Sequence, residues 1–155
     1  FAKAGFAPSR ICEVHGSIHH LQCLEPCTEK IWAADDVLPE VDESTCRLIS
    51  DLPHCPYCGQ LARPNILMFG DSGWLERRTQ LQQAQLDKWR RGVKKLVVIE
   101  LGAGTAIPTV RWFGETLGVP LIRLNPTEAE VSSAIGVSLQ SGALAGLQAI
   151  DLALR

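Results

Sequence analysis

Four cysteines in two close pairs constrain this chain more than any other feature. Cys23 and Cys27 flank Leu24-Glu25-Pro26, and Cys55 and Cys58 flank Pro56-Tyr57. Thiolates roughly two to four residues apart grip one cation from a tight turn, and a second pair completes the tetrahedron of soft ligands that Zn²⁺ favours. Gly59 follows the second pair, where a knuckle turn calls for positive φ. Four protein ligands leave no open coordination position, so such a zinc ion is structural. The competing reading is disulfides or buried thiols, since the chain has six cysteines. With 46% hydrophobic and 21% charged residues it can build a core without cross-links, and short Cys spacings suit metal better. Zinc and a reducing, cytoplasmic setting are therefore expected. Cys46, between the pairs, is within reach to replace one ligand, and Cys12 reads as a small core residue.

The 155 residues allow one domain, or one domain with a small insert. Residues 1–20 run from a loop with Gly5 and Pro8 into an apolar stretch at 11–14 that reads as a short strand, followed by His15. Residues 21–63 hold the Cys pairs, prolines and acidic loops, with too few apolar residues for a core of their own; they form the expected zinc-binding module. Residues 64–155 alternate in period. Residues 65–69 read as a buried strand and 74–91 as a helix, with Leu75, Leu81, Leu86 and Trp89 as candidate core contacts. Residues 95–101 are an almost continuously apolar strand covered on both faces. Helices at 105–117 and 142–154 and strands at 119–124 and 137–139 complete the pattern. This order predicts an α/β fold with an open, doubly wound parallel sheet.

Three further features point to chemistry. His15 precedes Gly16-Ser17; a histidine at a strand end titrates near neutral pH and serves as a general base, although a hydrogen-bonded structural histidine is the commoner outcome. His19 and His20 read as surface residues. Gly102-Ala103-Gly104-Thr105 follows a strand and opens a helix, which lets a phosphate or ribose approach backbone N–H groups; close strand–helix packing requires the same small residues. Asn125 ends the next strand, on the side where open α/β sheets bind ligands, and is equally a turn former before Pro126.

Together these residues resemble the sirtuins. Glu13-Val14-His15-Gly16-Ser17, the two Cys pairs, Arg63-Pro64-Asn65-Ile66-Leu67-Met68-Phe69-Gly70-Asp71, Gly102-Ala103-Gly104 and Asn125 follow that family in order and spacing over nearly the whole chain. The resemblance implies a Rossmann-like NAD domain carrying a small zinc-binding module. It implies transfer of an acyl group from a protein lysine to NAD, with release of nicotinamide and O-acyl-ADP-ribose. His15 matches the catalytic base that acts on the nicotinamide ribose. Phe69 and Gly70 match the segment that pairs, strand-like, with the acyl-lysine peptide. Gly102, Ala103 and Gly104 match the family's Gly-Thr-Ser stretch, and Asn125 its ribose-contacting Asn. Asp71 stands where the family usually has Glu, and Gly-Ala-Gly lacks two hydroxyls of Gly-Thr-Ser. The family's Gly-rich NAD loop and its Gln-Asn-Ile-Asp-type segment precede the catalytic His and have no counterpart here. With Phe1 in place of Met, this leads to the expectation of a truncated chain, inactive and poor at binding NAD by itself.

Two other functions remain in competition: a mono-ADP-ribosyltransferase of the same fold, and a non-catalytic zinc-ribbon binding module. Glu25, Glu29, Asp35, Asp36, Glu40, Asp42 and Glu43 surround the cysteines and the net charge is −2, which argues against nucleic acid as a partner. The longest apolar runs are far shorter than the ~20 residues of a membrane span.

Overall fold

The chain from Phe1 to Arg155, seen here as a computed structural model, divides into two units, Phe1–Gly92 and Val93–Arg155.

The first unit opens with two single 3₁₀ turns, Ala2–Ala4 and Pro8–Arg10. Residues 11–14 do not form the expected strand. Their backbone bonds to side chains of a helix instead: Gln82 Oε1 accepts from Glu13 N at 2.9 Å, and Thr79 Oγ1 donates to Glu13 O at 3.1 Å. With those groups engaged, no β ladder is open to them. The first strand, β1, is Gly16–Cys23, and the central sheet runs in the order β2-β1-β5, with β2 Trp32–Ala33 and β5 Ala62–Ile66 both antiparallel to β1. A two-residue-per-strand hairpin, β3 Val41–Asp42 and β4 Arg47–Leu48, lies between β2 and β5 in sequence, with Cys46 in its turn at φ 54. Helix α1, Arg77–Arg91, closes the unit.

The β1–β5 pairing carries a slip in register. Gly16 faces Ile66 and Ser17 faces Asn65; pairing then resumes with Leu21 opposite Pro64 and Cys23 opposite Ala62. The bulge lies where Pro64, lacking an N–H, interrupts the ladder. The strand expected at 65–69 is thus displaced toward the N-terminus and lies in an antiparallel sheet. Leu67, Met68 and Phe69 are exposed. The expected module boundaries at 20/21 and 63/64 fall inside β1 and β5.

The core of this unit is small: Leu21, Cys23, Cys55, Ala62 and Leu75. Two amides with no exposed surface, Gln22 and Asn65, complete it. Gln22 Oε1 accepts from Asn65 Nδ2 at 2.9 Å and from Leu75 N at 3.0 Å, and Gln22 Nε2 donates to Gly73 O at 2.7 Å. Leu75 meets its expected role, but Leu81 and Trp89 are exposed. Helix α1 is held by polar side chains, including an ion pair between Arg78 and Glu13.

The second unit contains β6 Val98–Leu101, α2 Thr109–Thr116, β7 Leu121–Leu124, β8 Gly136–Leu139 and α3 Ala143–Leu154. The three strands are parallel, in the order β6-β7-β8. This is the sheet that the alternating period predicted. Pro108 caps α2, where its missing N–H costs nothing. Leu121, Leu124 and Ala129 are buried, whereas Val97, Ile99 and Leu101 are exposed, so only one face of β6 is covered. Residues 102–108 separate β6 from α2, so Gly102-Ala103-Gly104 does not itself open the helix.

Candidate functional site

The Cys pairs lie on turns that the β1–β5 strand pair brings together. Cys23 ends β1 opposite Ala62, Leu24 N donates to Leu61 O, and the Cys55 turn closes through Cys55 N to Gln60 O at 2.7 Å and Gly59 N to Cys55 O at 2.9 Å. Gly59 has φ 74, as the knuckle requires. All four sulfurs lie within 4.8 Å of one another, with Cys23–Cys58 and Cys27–Cys55 both at 3.7 Å. Four ligands about 2.3 Å from one zinc ion stand about 3.8 Å apart, so this cluster has the size of a zinc tetrathiolate. The thiol chemistry agrees. Burial pulls Cys55 up, but the backbone N–H groups of Tyr57 and Cys58 outweigh it and bring it down to about 7. Cys27 is pushed up to about 12, first by its contact with Cys58. Four thiols this close ionise together only around a cation. Cys46 is exposed in the hairpin turn and takes no part. Cys12 is half-buried beside Gln83, outside any strand.

His15 occupies the turn immediately before β1 and is half-buried. Its carbonyl accepts from Leu67 N at 3.0 Å, and the next residue, Gly16, pairs with Ile66. Gly16 has φ 82, and a Cβ there would lie 1.9 Å from Asn65 O. Only glycine permits this approach. The same contacts that fix His15 therefore fix the start of the segment bearing Phe69 and Gly70, more than fifty positions on. Phe69 is 89% exposed and Gly70 turns at φ 67. Of the neighbouring histidines, His19 is exposed; His20 is half-buried, with its pKa lowered by burial and by Arg78.

In the second unit the carboxyl ends of β6 and β7 bring Gly102, Ala103, Gly104 and Asn125 together. Gly102 N donates to Leu124 O, and Asn125 Nδ2 donates to Ala103 O at 3.2 Å. Asn125 Oδ1 accepts from Thr127 N and Glu128 N at 3.0 and 2.9 Å, which makes the turn expected before Pro126. Glu128 reaches back to accept from Thr105 N at 3.2 Å and from the Thr105 hydroxyl, and these bonds hold its pKa below the ordinary value.

Several residues of these sites carry no sequence motif. Arg111 donates to Ala103, Glu128 and Glu130 carbonyls and so ties the two loops together. Arg123, 1% exposed, pairs with Glu100 at 2.5 and 3.0 Å and with Glu115 at 2.8 Å. A charge inside each of two apolar strands was the available signal: Glu100 and Arg123 are register partners. Arg63, Asn65 and Asp71 organise the first unit from within the motif shared with the family, whereas Gln22 carries no signal beyond polarity in a strand.

A four-cysteine knuckle set on an antiparallel strand pair, in one chain with a parallel α/β unit, defines an α/β protein with a site that fits zinc. The chain belongs to the Sir2 family, whose model matches residues 2–99. It is 26% identical over 144 residues to an NAD-dependent protein deacylase of Corynebacterium glutamicum, covering 92% of this chain and 51% of that protein. It is 34% identical over 62 residues to an NAD-dependent protein deacylase of Pyrococcus furiosus, covering 40% of this chain and 22% of that one. The fold matches a solved Sir2 homologue–NAD complex at a TM-score of 0.52 and 20% identity, over 92% of this chain and 52% of that one. The chain spans about half the length of the relatives it matches over most of its residues. No helix is long and apolar enough to cross a membrane.

Proposed function

We propose that this chain serves an NAD-dependent protein-lysine deacylase, with His15 as general base and an acyl-lysine protein or peptide as substrate. The observation that carries the reading is the common anchoring of His15 and the Phe69-Gly70 turn by one strand pair: Leu67 N to His15 O at 3.0 Å, and Gly16 opposite Ile66. A neutral imidazole accepts a ribose hydroxyl proton near neutral pH, and an exposed backbone edge binds an extended peptide by strand addition. NAD is the co-substrate, with Gly102, Ala103, Gly104 and Asn125 toward its ribose. Zn²⁺ on Cys23, Cys27, Cys55 and Cys58 is structural. The acidic zinc module and reduced thiols fit a cytoplasmic protein that does not bind nucleic acid.

The test is nicotinamide release from NAD with and without an acetyl-lysine peptide, on the protein that carries this chain. Release is expected to require the peptide, and His15→Ala to lower it by about 10²–10⁴-fold with zinc content and melting temperature unchanged. A variant that turns over within about threefold of the unaltered protein, below the least effect of losing a general base, refutes the role of His15.

A further inference from the structure

Between β5 and α1 the chain runs through residues 67–73 with no regular secondary structure, yet it is fixed at both ends. Arg63, in β5, meets Asp71 through two parallel bonds, Nη1 to Oδ2 at 2.7 Å and Nη2 to Oδ1 at 2.9 Å. The same carboxylate accepts from Met68 N at 3.3 Å and from Gly73 N at 3.2 Å. One side chain thus gathers the two flanks of the Phe69-Gly70 turn onto the fork of Arg63. Arg63 Nη1 also reaches Ile66 O at 3.4 Å, and the buried Gln22 holds Gly73 O. The ion pair is largely shielded, with 18% and 11% of the two side chains exposed, while Phe69 is 89% exposed. Neither the N–H nor the C=O of Phe69 joins the hydrogen bonds of the turn. Beside it lies an open groove of about 370 Å³ lined by Leu24, Arg63, Met68, Phe69, Asp71 and Gly73. Leu24 adjoins the zinc ligand Cys23, so the groove borders the metal centre.

A bidentate Arg–carboxylate pair fixes direction as well as distance. Here it fixes a stretch in which the peptide groups of Phe69, a residue 89% exposed, make no intramolecular hydrogen bond. We propose that Arg63 and Asp71 are positioning residues for the substrate edge: their ion pair holds residues 67–73 so that the backbone of Phe69 pairs with an extended acyl-lysine peptide lying in the groove. The proposal rests on the deacylase reading and adds to it the pair that shapes the peptide site. A purely structural pair would instead stabilise the fold without setting peptide affinity.

The test uses the zinc-loaded chain, an acetyl-lysine peptide labelled for fluorescence anisotropy, and amide hydrogen exchange. Asp71→Asn is expected to weaken peptide binding by about tenfold or more, because a small misplacement of a binding edge carries a large penalty. Exchange should quicken at Met68 and Gly73, with zinc content and β1–β5 protection unchanged. Asp71→Glu keeps the charge and should hold affinity within about threefold of the unaltered chain. Arg63→Lys keeps the charge but loses the fork, and should weaken binding as Asp71→Asn does. If the unaltered chain binds the peptide and Asp71→Asn binds it as tightly, the proposal is overturned while the deacylase reading stands. If Asp71→Asn loses zinc or β1–β5 protection, or Asp71→Glu fails to restore binding, the pair is structural and the proposal falls. If the unaltered chain binds no acetyl-lysine peptide although exchange quickens as described, Phe69-Gly70 is not a substrate edge, and that part of the deacylase reading falls too.

Discussion

The two units of this protein reach order by different means. Phe1–Gly92 buries Leu21, Ala62 and Leu75 around two thiols, Cys23 and Cys55, and two amides, Gln22 and Asn65, with a shielded ion pair between Arg63 and Asp71. Val93–Arg155 follows the usual logic of parallel strands, with Leu121 and Leu124 buried on β7 and one charge cluster at Arg123. A four-cysteine cluster and a buried amide network therefore distinguish the first unit, and parallel strand pairing around a buried Arg123–Glu100 ion pair the second. The difference matters for function: a unit held by directional bonds can present an irregular, exposed segment such as residues 67–73 in a defined place.

The largest expected effect concerns the metal. Structural zinc in small modules contributes about 10–16 kcal/mol of apparent binding free energy. Cys55→Ser with Cys58→Ser should release zinc and unfold residues 21–63, read by elemental analysis and amide exchange, with β6–β8 keeping their protection. Unchanged stability after both substitutions would erase the contrast between the units.

The reciprocal experiment is Arg123→Met. Removing one partner of a buried pair strands the other, here Glu100, at a cost of about 3–5 kcal/mol. Denaturant unfolding followed by probes in each unit should show the loss in Val93–Arg155 and little change in the zinc module. A loss shared equally by both would mean the units unfold as one.

Gly16→Ala should follow in size. The position combines positive φ with a Cβ that would overlap the Asn65 carbonyl, and strained backbone of this kind costs about 1–3 kcal/mol before the overlap is counted. The damage should centre on the Gly16–Asn65 pairing, visible as faster exchange at Leu67 and lower activity.

Acid should separate the units more gently. Arg63 holds Asp71 below its ordinary 3.8, and Ser44 and Thr45 do the same for Asp42. Burial raises Glu13, but its bonds to Arg78 outweigh that and lower it overall. The second unit has Glu128, lowered by Thr105. A carboxyl lowered on folding adds stability above its unfolded pKa and loses it as pH falls through the folded value. Below about pH 4, the ordinary carboxylate range, the first unit should therefore weaken first, the more so as its thiolates are protonated. Unfolding midpoints for each unit across pH 2–6 (about this range spans the carboxylates) measure it, and earlier loss of the second unit would contradict it.

Much of this was legible in the sequence. The spacing of Cys23, Cys27, Cys55 and Cys58 announced a tetrathiolate because short-range geometry nearly determines such a site. The three parallel strands and their helices appeared as changes of apolar period. The strand expected at 11–14 failed because Glu13 finds its partners on α1, some seventy positions away, and no local pattern reports that. Helix α1, expected from residue 74, begins at Arg77 and ends at Arg91 as expected, and Leu81 and Trp89 lie outside the core because polar side chains dock it.

By itself, then, the sequence determined the four-cysteine cluster, the parallel α/β unit, and the motifs that mark the family, since each depends on residue type at short separation. Tertiary structure alone decided that His15 and Leu67 share a hydrogen bond, that Asp71 closes on Arg63 rather than facing solvent, and that Asn125 meets Ala103. Those contacts arise from strand register and loop closure, which are set by which partners remain available after the chain has collapsed, and that competition leaves no local trace.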